Sequence, residues 1–139
     1  MKRNTKIIIA GVGIAVIAGV GYVILSKNGT IIGRTGSVND NNYNATVSKG
    51  NDVVWFSRSG CEYCELLKGE IDAIQGDYAF KGINFLNYNT DVNTAIATQM
   101  GISGLPMVYF YKDGQLVNTL TGYQSRTVLQ DQIKQIYGV

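Results

Sequence analysis

Histidine is absent from this chain of 139 residues. That removes Ser-His and Cys-His catalytic pairs and every histidine-based metal site. Cysteine occurs twice and proline once. Two cysteines cannot complete a zinc site within one chain, so zinc would require a dimer and no metal is expected. The formal charge is only +2, which offers no electrostatic case for a nucleic-acid partner. Even that excess is local. Lys2, Arg3 and Lys6 stand near the N-terminus, whereas from Lys27 onward nine Lys and Arg face all ten Asp and Glu. The length suits one domain with an appendage, and apolar residues at 45% suffice for a packed core.

Charge is also missing from Ile7 to Leu25, a run of 19 residues rich in Ile, Val, Gly and Ala. As a helix it would extend roughly 28 Å, close to the hydrocarbon thickness of a bilayer. The reading is a basic segment and transmembrane helix over residues 1–25. A buried core helix is the bland alternative, but no face of the run is polar. A cleavable signal peptide is the stronger competitor, with Gly19 and Gly21 as a weak cleavage site, yet its apolar region is usually about 7–15 residues. No cysteine lies near the end of the run, which excludes a lipoprotein anchor. The basic flank predicts a cytoplasmic N-terminus and an extracytoplasmic domain at the cell membrane. Gly11, Ala15 and Gly19 recur every four residues and could let two spans pair weakly.

Residues 26–44 are polar and rich in Gly and Asn, and read as a flexible tether before a domain over residues 45–139. In that domain Asp52–Ser57 suits a buried strand. Cys61 to about Gln75 suits a helix, with Cys64, Leu67, Ile71 and Ile74 along one side. Ile83–Tyr88 is a further strand, and Asp91 is placed to cap a helix ending near Met100 and Gly101. Met107–Tyr111 and Gln115–Thr121 flank the turn signal Asp113-Gly114. Ser125 or Thr127 opens a last helix with Leu129, Ile133 and Ile136 on its apolar side. The order is β-α-β-α-β-β-α.

The chemistry lies at Cys61-Glu62-Tyr63-Cys64, after a strand and a short loop. Cysteines at i and i+3 share the first turn of a helix and can close a disulfide. Cys61 stands at the helix N-terminus, where free N–H groups and the macrodipole favour a thiolate. It is therefore the expected nucleophile. Cys64 lies one turn inward and is the expected resolving thiol. An inert structural bridge is the alternative, although so short a loop constrains little of the unfolded chain. The carboxylate of Glu62 opposes a thiolate beside it, and Arg58 offsets that charge.

The single proline, Pro106, precedes a strand in MGISGLPMVYFYKDG. This segment, with Cys61-x-x-Cys64 upstream, resembles the thioredoxin family over about Val47–Val139. The resemblance implies an α/β domain with a central mixed sheet flanked by helices. It implies a cis Leu105–Pro106 bond facing the redox pair, with Leu105 and Pro106 in the substrate groove. It implies disulfide exchange with protein thiols and no cofactor beyond the Cys61–Cys64 disulfide. Together with the N-terminal run, the chain is similar to small membrane-anchored thioredoxin-like oxidoreductases of Gram-positive bacteria, some of which accompany secreted peptides. That implies a membrane or extracytoplasmic redox partner. The sequence departs from the family at several points. Gly60 replaces the usual Trp, and Trp55 stands where a buried carboxylate is usual. Glu62 and Tyr63 replace Gly-Pro and are read as tuning positions, and Gly69 replaces a kinking proline. The first strand and helix of a full thioredoxin read as short or missing. A binding function offers a second class: a tethered, non-catalytic thioredoxin-fold module with an idle cysteine pair.

Overall fold

A computed structural model describes residues 13–17, 21–25 and 31–139. Among these residues seven strands form one mixed sheet in the order β1-β2-β3-β5-β4-β6-β7. They are β1 Gly13–Ile17, β2 Gly21–Leu25, β3 Ile31–Val38, β4 Asn51–Ser57, β5 Ile83–Asn89, β6 Met107–Lys112 and β7 Gln115–Thr121. The helices are α1 Tyr43–Val47, α2 Glu62–Ala79, α3 Ala95–Gln99 and α4 Arg126–Tyr137. Strand β5 runs parallel to both β3 and β4, and the other pairings are antiparallel.

Period-2 alternation divides the core in two. On β4, Val53 and Trp55 point to one face, and Val54 and Phe56 to the other. The first face packs under α2 and α4 through Leu67, Ile71, Ile74, Leu129 and Ile133. The second carries Tyr43, Tyr88, Tyr109 and Tyr111 with Ile96 of α3. Helices thus cover both faces, as a sheet with a parallel centre requires. From β4 to α4 the order of elements is the one expected. Ser125 caps α4 by accepting from the Val128 N–H at 3.3 Å. Asp113 and Gly114 take φ of 50° and 80°, as a tight hairpin demands. A Cβ on Gly114 would lie 2.4 Å from the Ser48 carbonyl oxygen, so this turn needs glycine on both counts.

Three expectations are corrected. The stretch 26–44 is not simply a tether: it contains β3, paired in parallel register with β5, and the start of α1. The first strand and helix of the fold are therefore present. Asp91 does not cap α3. That role falls to Asp40, whose carboxylate accepts from the Thr94, Ala95 and Ile96 N–H groups. The Tyr88 hydroxyl, chiefly, and these N–H groups hold the Asp40 carboxyl down to about 2.

The third correction concerns the apolar run. Where the run is described it is extended: β1 pairs with β2, and β2 pairs with β3. Ile and Val are β-branched and suit a pleated ribbon, and β3 offers a free edge to receive it. No helix among the described residues is long and apolar enough to cross a membrane. Lys2, Arg3, Lys6, Gly11 and Gly19 lie outside the described residues, and Ala15 lies in β1.

Candidate redox site

Strand β4 ends at Ser57 and a three-residue loop carries the chain to Cys61. Gly60 makes the last bend with φ 65° and open space around it, a conformation that suits glycine. Helix α2 then starts at Glu62 with Cys61 as its N-cap. The Cys61 Sγ accepts from the Cys64 N–H at 3.2 Å. Such a donor, at the positive end of an 18-residue helix, is what stabilises negative charge on sulfur.

Cys61 and Cys64 are joined as a disulfide with a Cα separation of 5.2 Å, inside the usual range for bridged cysteines. Their surroundings differ. Cys61 is half-buried, whereas Cys64 is 2% exposed on the buried side of α2. Glu62 and Tyr63 project outward, Tyr63 at 61% exposure. The exchange chemistry needs one sulfur that a second molecule can reach and another within bonding distance of it, and this pair provides both.

Beside Cys61 runs a groove of about 400 Å³ whose wall includes Arg58, Thr90, Ile102, Ser103 and Leu105. The Leu105–Pro106 bond is cis, and the Pro106 carbonyl accepts from the Gly122 N–H at 2.8 Å. Cys61, Arg58 and Leu105 therefore meet at one groove, which Glu62 and Tyr63 do not line. Among the described residues, no three His, Cys, Asp or Glu side chains converge on a point that could hold a metal.

Several groups at this site escaped the sequence reading. Asp91 binds the loop before Cys61: its Oδ2 accepts from the Ser59 N–H at 2.7 Å and from the Ser59 hydroxyl. Those two bonds hold its carboxyl below the usual carboxylate range. The Thr90 N–H and hydroxyl both reach the Ser57 carbonyl, at 2.8 and 3.1 Å. The loop carrying Arg58 is thus fixed from below by the residues that follow β5. An aspartate just after a strand carries the same sequence signal whether it caps the next helix or binds a neighbouring loop.

Residues 34–135 match the family model described as Thioredoxin. A thioredoxin of Staphylococcus saprophyticus is 27% identical over 97 residues, which cover 70% of this chain and 92% of that protein. Thioredoxin 1 of Synechococcus elongatus is 32% identical over 77 residues, covering 55% of this chain and 71% of that one. Among solved structures, thioredoxin-2 of the malaria parasite, described as a component of its protein secretion machinery, has a TM-score of 0.58 at 24% identity. It covers 62% of this chain and 82% of its own. A chain from a study of thiol resolution in yeast mitochondrial 1-Cys peroxiredoxin has a TM-score of 0.65 at 20% identity, covering 73% of this chain and 94% of its own. At these identities the two structures speak for the fold alone.

Proposed function

The chain belongs to the thioredoxin family and is a thiol–disulfide oxidoreductase, and we propose that it acts on protein disulfides from the outer face of a cell membrane, with Cys61 as nucleophile and Cys64 as resolving thiol. The observation that carries the assignment of roles is the unequal exposure of two bonded cysteines, one at the groove and one on the buried side of α2. In the reducing direction the Cys61 thiolate attacks one sulfur of a substrate disulfide. That S–S bond breaks, and the departing thiolate takes up a proton. Cys64, after losing its proton, attacks the Cys61 sulfur and displaces the second substrate thiolate. Two electrons pass to the substrate, and the protein is left with the Cys61–Cys64 disulfide. The reverse sequence delivers a disulfide to a substrate dithiol. Assay of the full chain with insulin and dithiothreitol tests this reading, and a rate no faster than dithiothreitol alone would reject it.

Glu62 tunes the pair. It is the first residue of α2, exposed and adjacent to the half-buried Cys61, where its negative charge disfavours a thiolate. Glu62→Gln is expected to raise the reduction potential, measured by equilibration against glutathione. A potential that stays the same or falls would remove Glu62 from the account.

The membrane reading rests on Ile7–Leu25 and the basic residues before it. In hydrocarbon every backbone polar group needs an internal partner, which only a helix or a closed barrel supplies. The described parts of the run, β1 and β2, form a hairpin that leaves an open edge at β1, so insertion into a bilayer would require the run to leave the sheet and become helical. Protease added to intact spheroplasts should release a soluble fragment containing residues 31–139. Full protection would reverse the topology, and a protein already soluble before protease would mean a cleaved leader.

A further inference from the structure

Among the described residues Arg58 holds the only charge on the wall of the groove beside Cys61. The rest of that wall is neutral: Thr90 and Ser103 are polar, and Ala97, Ile102 and Leu105 are apolar. Arg58 is exposed, and the ion pairs found among the described residues, Lys68–Asp72 and Arg126–Glu70, do not include it. Asp91 feels the Arg58 charge, but its Oδ2 is engaged by the Ser59 N–H and hydroxyl. The backbone under Arg58 is held by the bonds from Thr90 to Ser57 and from Ser59 to Asp91. An exposed guanidinium outside those ion pairs therefore extends from a fixed backbone position beside the groove, next to the sulfur that meets the substrate.

We propose that Arg58 is a specificity-determining residue that selects substrates with an Asp or Glu carboxylate close to the cysteine that Cys61 attacks. This rests on the reading of Cys61 as the nucleophile and of the adjoining groove as the seat of the substrate chain. The planar guanidinium can take a carboxylate through two parallel hydrogen bonds. The same charge disfavours a Lys or Arg at that position, so attraction and repulsion both contribute to selection. Neutral walls mean that no other groove side chain rewards or penalises charge.

The test uses the full chain, dithiothreitol as electron source, and a set of short peptides, each with one internal disulfide. Within each set the peptides differ at one residue, Asp, Asn or Lys, placed on either side of one cysteine. At low ionic strength kcat/KM should follow Asp over Asn over Lys on one flank, with steps of about two- to fivefold, the span that one partly exposed ion pair supplies. The steps should shrink in 1 M salt, where charges are screened beyond roughly 3 Å. Arg58→Gln should level the series, Arg58→Glu should invert it, and Arg58→Lys should restore the order in part. These are ratios within one protein, so a general change in folding or thiol reactivity cancels. Equal rates for all three peptides on both flanks, or an order that survives in Arg58→Gln, would overturn the proposal and leave the cysteine assignment intact. No acceleration with any peptide would overturn both.

Discussion

Cys64→Ser is expected to accumulate as a mixed disulfide with its substrates, while Cys61→Ser accumulates none, and both lose catalysed exchange down to the rate of the reductant alone. The asymmetry follows from where the two sulfurs lie. With Cys64 replaced, Cys61 remains at the groove as helix N-cap and can still attack an incoming disulfide. The second step then has no attacking thiol, so the intermediate persists. With Cys61 replaced, the remaining sulfur is 2% exposed, and a protein disulfide cannot approach it in line. Neither variant should unfold, because the bridge spans only three positions in sequence and so short a loop contributes little entropy to the unfolded chain. Circular dichroism provides that control. Non-reducing electrophoresis after incubation with a disulfide-bonded protein reads the trapped species. Equal trapping by both variants would mean that both sulfurs reach the substrate, and the assignment of roles would fail.

What the sequence made legible was local. The strands β4, β5, β6 and β7 have strong apolar patterns with turn residues between them, and Cys61, Cys64 and Pro106 are rare residue types in a telling order. What it hid depends on partners far away in the chain. Strand β3 contains Gly33, Arg34, Thr35 and Gly36, a poor strand by composition. It becomes one by lying parallel to β5, about fifty residues later. At Gly33 an added Cβ would lie 2.6 Å from the Ala79 carbonyl oxygen, so the glycine that weakens the pattern is required for close approach to the end of α2. Helix α1 is five residues long, too short to show a helical period. It is held by Tyr43, whose hydroxyl shares a 2.8 Å hydrogen bond with that of Tyr111. The cap of α3 comes from Asp40, more than fifty positions upstream. One practical consequence follows: a chain cut at residue 40 or 45 would lose β3 and should not be treated as the complete domain.

Among the described residues the buried acid is Asp52, and replacing it by Asn is expected to stabilise the protein at neutral pH. Asp52 is the second residue of β4, at the end remote from Cys61, and is 0% exposed. Its Oδ1 accepts from the Asn84 amide at 2.7 Å, while its Oδ2 has no partner. Burial pushes its carboxyl up, and the Asn84 hydrogen bond and the Arg34 charge offset this only in part. A carboxyl whose folded pKa is raised contributes most below its unfolded value, near 4, and that contribution is lost as pH rises through the folded value. At pH 7 the fold therefore bears the cost of a buried, half-satisfied carboxylate. Asp52→Asn keeps the acceptor for Asn84 and removes the charge. The expected gain is about 1–3 kcal/mol at pH 7, shrinking towards about pH 3, below the ordinary carboxyl value, where the wild-type carboxyl is largely protonated in both states. Urea unfolding at the two pH values measures it. Equal stability changes at both, or a loss at pH 7, would show that Asp52 carries its charge without cost. Asp52→Ala separates charge from hydrogen bonding, because it strands the Asn84 amide and should recover less. The exchange rate decides a further point. In the thioredoxin family a buried carboxylate stands six residues before the first cysteine, a position taken here by Trp55 on the α2 face of the sheet. Asp52 lies three residues further back, beside Asn84. Exchange by Asp52→Asn should therefore match the wild type, whereas a slower rate would make Asp52 a proton relay and not a passive burden on stability.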